Sequence, residues 1–175
     1  LKQNDNSIEF WNKEYQNLNY KTKDRYIESV PEEDLKSHFN TYKNKIFKKN
    51  SKFLIYLLSW IKIFNLFQPI NIYLQDHKRK YTYSILNGLV RNNSEITDIS
   101  MHSKSLSFIF KNEFGFDTLS VNGCFESSEN GFSKSAKTLS IGSLNALGFN
   151  LGLGLFFKPS LIFLFFSKVK KIVNN

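Results

Sequence analysis

The side chains able to do chemistry crowd into residues 98–139, where His102, Ser103, Asp117, Asn122 and Cys124 lie close together. A hydrolytic serine needs a base to take its proton, and a reactive cysteine needs a base or a cationic, partly exposed setting. Ser103 stands where a helix is predicted to start, so its plainer role is the N-cap. Cys124 has no histidine nearby and reads as a small buried or half-buried thiol. Asp117 and Asn122 are the polar residues placed to face a pocket among Phe108, Phe110, Phe114, Phe116 and Phe125. Their plainer readings are a turn cap and an Asn-Gly turn. His38, His77 and His102 fall in a predicted helix, a hairpin turn and a helix start, with no common spacing, so no two converge locally as metal ligands would. No catalytic residue, metal or cofactor is assigned.

Two further stretches imitate ligand sites. Gly148-Phe-Asn-Leu-Gly152-Leu-Gly154 resembles a phosphate loop but lacks the Lys-Ser/Thr that completes one, and it reads as a turn. Lys78-Arg79-Lys80, flanked by Tyr73, Tyr81 and Tyr83, has the basic and aromatic mixture that can hold nucleic acid. A solvated hairpin tip accounts for the same residues, so a nucleic-acid partner is disfavoured.

These residues need elements to position them. Residues 1–28 alternate charges with Phe10, Trp11, Tyr15, Tyr20 and Tyr26, as in an arm or short helix that packs on something else. A helix is predicted from Pro31, with Ser29 and Glu32 at capping-box spacing and Glu32, Glu33 and Asp34 complementing its dipole. Leu35, Phe39, Tyr42 and Ile46 form its apolar stripe, and Lys48 and Lys49 close it. Residues 53–67 are apolar almost all round; as a helix they would reach about 22 Å, short of the roughly 30 Å hydrocarbon layer. A buried or domain-interface helix is favoured over an interfacial one. Alternation at Ile70, Ile72, Leu74 and again at Tyr81, Tyr83, Ile85 predicts a β-hairpin. Asn87-Gly88 is the next turn and residues 91–94 a polar link. Further on come a strand ending at Asp98-Ile-Ser-Met101, a helix from Ser103, a strand Thr118–Phe125 and a helix from Ser133. The apolar block 151–166, broken by Lys158-Pro159, is buried or interfacial and runs into a basic tail.

At 175 residues the chain is long enough for one domain with a real core plus a smaller helical piece. Its net charge of +9 comes mostly from lysine, 21 of 24 basic residues, amid abundant Asn, Ile, Phe and Tyr, the profile of a low-GC genome. After Glu129 there is no acidic residue, while six lysines follow. A basic, apolar C-terminal third would suit a membrane surface or an acidic neighbour. The single cysteine excludes an intrachain disulfide and the usual Cys-based zinc site, and no cleavable signal peptide is expected. The first residue is Leu, which points to a fragment or processed form with a partner domain upstream.

The succession from hairpin through Asp98-Ile99, Ser103, Leu106, Val121, Gly123 and Leu139 resembles the sterol-carrier-protein-2-like fold, over about residues 68–140. Phe114-Gly-Phe-Asp-Thr-Leu-Ser-Val-Asn-Gly is also similar to C-terminal extensions behind metallo-β-lactamase-fold hydrolases. Those hydrolases need a His-x-His-x-Asp-His cluster to hold the metal that activates water, and this chain has none. The resemblance therefore implies a noncatalytic module with the chemistry upstream.

The expected architecture is α+β: a small antiparallel-rich sheet with helices on one face, preceded by two helices. The division is an arm and helical segment (1–67), a sterol-carrier-like domain (68–148) and an apolar basic tail (149–175). The module would offer an apolar pocket, lined by Leu106, Ile109, Phe110, Phe116, Leu119, Val121 and Leu139, or a packing surface. Its partners would be an upstream catalytic domain or a second copy, with a lipid or other apolar ligand in the pocket. The alternative is a peripheral membrane protein using 53–67 and 151–171. The expected location is the cytoplasm, up to the inner face of the membrane.

Overall fold

A computed structural model describes residues 7–21, 28–61, 66–152 and 154. Along the chain these form helices α1 (Ser7–Lys21), α2 (Glu32–Lys49) and α3 (Lys52–Trp60), then strands β1 (Ile70–Leu74), β2 (Arg79–Ser84), β3 (Gly88–Asn92) and β4 (Ile99–Met101). Helices α4 (Ser103–Lys111) and α5 (Gly115–Val121), strand β5 (Phe125–Ser127), and helices α6 (Glu129–Leu139) and α7 (Ile141–Ala146) follow.

The five strands form one mixed sheet in the order β3-β2-β1-β4-β5. β1, β2 and β3 are an antiparallel meander in which Ile72 faces Tyr81 and Tyr83 faces Leu89. β4 then returns parallel to β1, with Leu74 beside Met101, and β5 pairs antiparallel with β4. Strand side chains alternate between faces. One face carries the buried Ile70, Ile72, Leu74, Tyr81, Tyr83, Ile99 and Met101, and the other carries Asn71, Tyr73, Thr82, Val90 and Ser100. The helices supply the opposing layer. The predicted α2 stripe Leu35, Phe39, Tyr42 and Ile46 is buried against Tyr83 and against Phe110 of α4, the ring centroids of Phe39 lying 5.7 Å from both aromatics.

Several predicted boundaries are corrected. Thr118–Phe125 is not a strand: α5 covers its first half and only residues 125–127 join the sheet. The buried positions Gly115, Phe116 and Leu119 recur at helical spacing, and a Cβ on Gly115 would lie 2.6 Å from the Ile109 Cα, so α5 crosses α4 in backbone contact. The helix predicted from Ser133 starts at Glu129, because Ser128 caps it, accepting from the Gly131 N–H at 3.1 Å. Arg91 and Asn92 belong to β3, not to a link. The Ser29/Glu32 capping box does not form, since Pro31 is the N-cap and Glu32 bonds elsewhere. The apolar stretch from Phe53 is a helix only to Trp60, burying Leu54 and Ile55, while residues 62–65 and the apolar block and basic tail beyond residue 154 lie outside the described residues. Among the described residues no helix is long and apolar enough to cross a membrane.

Candidate functional site

The parallel pairing of β1 with β4 puts the ends of both strands side by side. The ladder continues one step, the Gln75 N–H donating to the Met101 carbonyl at 3.0 Å. Asp76, in the turn after β1, thereby meets the start of α4. Its Oδ1 accepts the Ser103 backbone N–H at 2.9 Å and its Oδ2 accepts the Ser103 hydroxyl at 2.5 Å. The Ser103 oxygen in turn accepts the Val30 N–H at 2.7 Å, so one hydroxyl joins the approach to α2, the β1–β2 turn and the start of α4.

Two histidines complete the cluster. His77 Nε2 lies 2.9 Å from the Val30 carbonyl, to which it donates, and 3.8 Å from Asp76 Oδ2. His102 Nε2 lies 3.6 Å from the same oxygen, and its Nδ1 accepts the Lys104 N–H at 3.2 Å. His102, not Ser103, is therefore the N-cap of α4. His77 and His102, which have no common spacing in the sequence, meet at one carboxylate oxygen because β1 and β4 lie side by side. His38 sits apart, 3.1 Å from the Ser107 hydroxyl, its pKa lowered by burial and by the charge of Lys111.

Beyond His77 the network reaches the surface. The Tyr81 hydroxyl lies 3.5 Å from His77 Nδ1 and donates to Glu32 Oε2 at 3.0 Å. That carboxylate also takes Arg91 through Nε and Nη2, at 2.8 and 2.6 Å, and Lys36 at 2.8 Å. Lys36 and Arg91 pull the Glu32 pKa from its usual 4.5 to about 2. Burial works against ionisation of Asp76, but the two bonds from Ser103 prevail and its pKa is lowered. A carboxylate with a depressed folded pKa gives stability that is complete above its unfolded pKa and lost as pH falls through the folded one. The urea midpoint is thus expected to fall as pH drops from 4.5 towards 2, and Glu32→Gln to flatten that limb. An unchanged acid limb in this variant would show that the ion pairs do not form in solution.

This geometry is poor for catalysis. Ser103 is fully buried and its hydroxyl donates to a carboxylate, whereas nucleophilic serines are exposed to substrate and paired with a base. Among the described residues no group of three or more His, Cys, Asp or Glu could hold a metal ion. Cys124 is partly buried, its thiol 3.7 Å from the Asn122 carbonyl. Asp117 accepts a hydrogen bond from Ser143, and Asn122 is the C-cap of α5, followed by Gly123 at φ 62°. Gly148 turns the chain after α7 at φ 84°.

Of the residues predicted to line a pocket, Leu106, Ile109, Phe110, Phe116, Leu119 and Leu139 are buried in the main core. Val121 is 87% exposed, because the helix that replaces the predicted strand turns it outward. The cavity beside Phe110, Tyr42 and Ile46 measures 20 Å³, room for about one water and no lipid. Asp76, Glu32, Tyr81 and Arg91 were not singled out in the sequence as site residues. The signal for Asp76 was its place next to His77 in a hairpin turn, which acquires meaning only once β4 is known to lie beside β1. Comparison of the chain with protein-family models, curated proteins and solved structures gives no match.

Proposed function

We propose that this chain is a noncatalytic accessory module that works through a packing surface, as the C-terminal part of a larger, metallo-β-lactamase-fold hydrolase. The carrying observation is that the chemistry-bearing side chains of the Asp76 cluster are bonded to the fold while large apolar side chains elsewhere face outward. On α3, Phe53, Tyr56 and Trp60 are 64%, 62% and 76% exposed at i, i+3 and i+7, which makes one stripe. The Asn50 and Asn145 side chains bond each other, and the Ser51 N–H donates to the Leu151 carbonyl at 2.7 Å. This junction sets the start of α3 beside the segment that exposes Leu144, Leu147 and Phe149. Apolar patches of this kind mark interaction surfaces. The sequence resemblance supplies the catalytic partner.

Two measurements test the proposal. An in-frame His-x-His-x-Asp-His cluster in the coding sequence preceding the Leu1 codon supports the assembly, and its absence there and in the adjoining genes overturns it. Titration with a fluorescent fatty acid is expected to give no saturable one-to-one binding, and such binding would restore the pocket in place of the packing surface.

One observation favours lipid as the partner of the same stripe. No acidic residue occurs from Leu35 to Gln75, a span with seven lysines, and aromatic side chains with neighbouring cations suit an anionic bilayer surface. Cosedimentation with phosphatidylserine vesicles at low salt distinguishes this second reading, which fails if the chain stays in the supernatant.

A further inference from the structure

Two helix faces of this chain are apolar and open. On α1, Ile8 and Trp11 stand at i and i+3 and are 71% and 65% exposed, which makes one stripe that the described residues leave uncovered. On α3, the stripe Phe53, Tyr56 and Trp60 is open in the same chain. Neither helix covers the other, although each offers the kind of surface that the other lacks.

The flanks of the two stripes are opposite in charge. Glu14, three residues after Trp11, borders the stripe of α1, and Glu9 lies in the first turn of that helix. Lys52, four residues before Tyr56, borders the stripe of α3, and Lys45 and Lys48 are exposed on the helix that leads into it. No acidic residue lies between Leu35 and Gln75. Two α3 helices laid together would oppose lysine to lysine, whereas α1 laid on α3 opposes carboxylate to ammonium.

We propose that the α3 stripe takes α1 of a second copy of this chain, the two copies exchanging these helices about a two-fold axis. The inference rests on the reading of α3 as a packing surface and names its occupant. Aromatic side chains bury about 150–250 Å² each, so Trp11, Phe53, Tyr56 and Trp60 at roughly two-thirds exposure bring about 500 Å² per copy. Doubled by symmetry, and with Ile8 and the stems of the flanking side chains added, the area passes the roughly 1,000 Å² that a specific interface needs. Pairing of α3 with α3 would leave Trp11 and Ile8 out and fall short.

Sedimentation equilibrium of the whole chain over a wide range of concentration is the test. The parent chain is expected to be a dimer, and Trp11→Asp and Trp60→Asp are each expected to weaken it by about tenfold or more, with an unchanged circular dichroism spectrum because both side chains are exposed. An equimolar mixture of the two variants is expected to recover part of the dimer: the α1 of the Trp60→Asp chain and the α3 of the Trp11→Asp chain are both intact. The inference is overturned if the parent chain is a monomer throughout, if Trp11→Asp dimerises as well as the parent, or if the mixture recovers nothing. A monomeric parent leaves the accessory role standing, since that role is decided by the coding sequence before the Leu1 codon. A dimer without an upstream metal cluster removes the hydrolase and keeps the exchange.

Discussion

Asp76→Ala is expected to lower the stability of the fold by about 3–5 kcal/mol, the range for removing one partner of a buried charged network. The carboxylate carries both the backbone N–H and the hydroxyl of Ser103, and bonds to a charged acceptor contribute about 1.5–3 kcal/mol each. Its loss strands a fully buried hydroxyl that still has to accept from Val30. It also removes the negative charge between His77 and His102. Asp76→Asn keeps a carbonyl for the Ser103 N–H and is expected to lose less. Urea denaturation of both variants, with Ser103→Ala and the double variant to complete a cycle, checks this. Coupling near zero, or an Asp76→Ala chain as stable as the parent, would mean that the cluster does not hold the fold together. Ser103 and the histidines would then need a functional explanation instead.

Gly131→Ala is expected to destabilise by about 3 kcal/mol or more, the upper end for overpacking. Helix propensity alone predicts the opposite sign, a gain of about 1 kcal/mol in a helix interior. The space decides, since a Cβ at this position would stand 2.0 Å from the Asp98 carbonyl oxygen and 2.8 Å from its carbon. Asp98 cannot retreat: its N–H donates to the Asn71 carbonyl at 2.9 Å, and its carboxylate takes the Asn71 N–H at 2.7 Å and Lys134 at 2.8 Å. Helix α6 must therefore lift off β4, with Leu139 leaving the core. Ser133→Ala, an exposed position on the same helix, is the control and is expected to change stability by less than about 0.5 kcal/mol. A Gly131→Ala chain with the stability of this control would overturn the close contact.

Much of the architecture could be read from local pattern. The α2 stripe, the hairpin and the Asn87-Gly88 turn rest on periodicity and turn chemistry, and they occur where those signals stand. The misreading at 118–125 has a definite cause. Leu119, Val121 and Phe125 stand at strand spacing over a short window, but a glycine contact with α4 and the Phe116/Leu119 spacing make residues 115–121 helical. The polar cluster was hidden for a different reason. Asp76-His77 and His102-Ser103 each have an ordinary local reading, as turn and cap, and only the non-consecutive neighbours β1 and β4 bring them together. The basic run Lys78–Lys80 stands out in the sequence, while Asn92, which pairs with Lys80, falls in a stretch read as a link.

The bond from Val30 to Ser103 spans 73 residues, whereas the β1–β2–β3 meander closes within residues 70–92. Loop closure over a long separation must be met before its contacts repay it, so local pairings form ahead of distant ones. The meander is then expected to form early, and the Val30–Ser103 bond to close later, once α4 has met α2. Interactions made after the rate-limiting step act mainly on unfolding. The buried hydroxyl thus works as a latch on the lifetime of the folded chain, setting how long it stays shut and having little influence on how fast it closes.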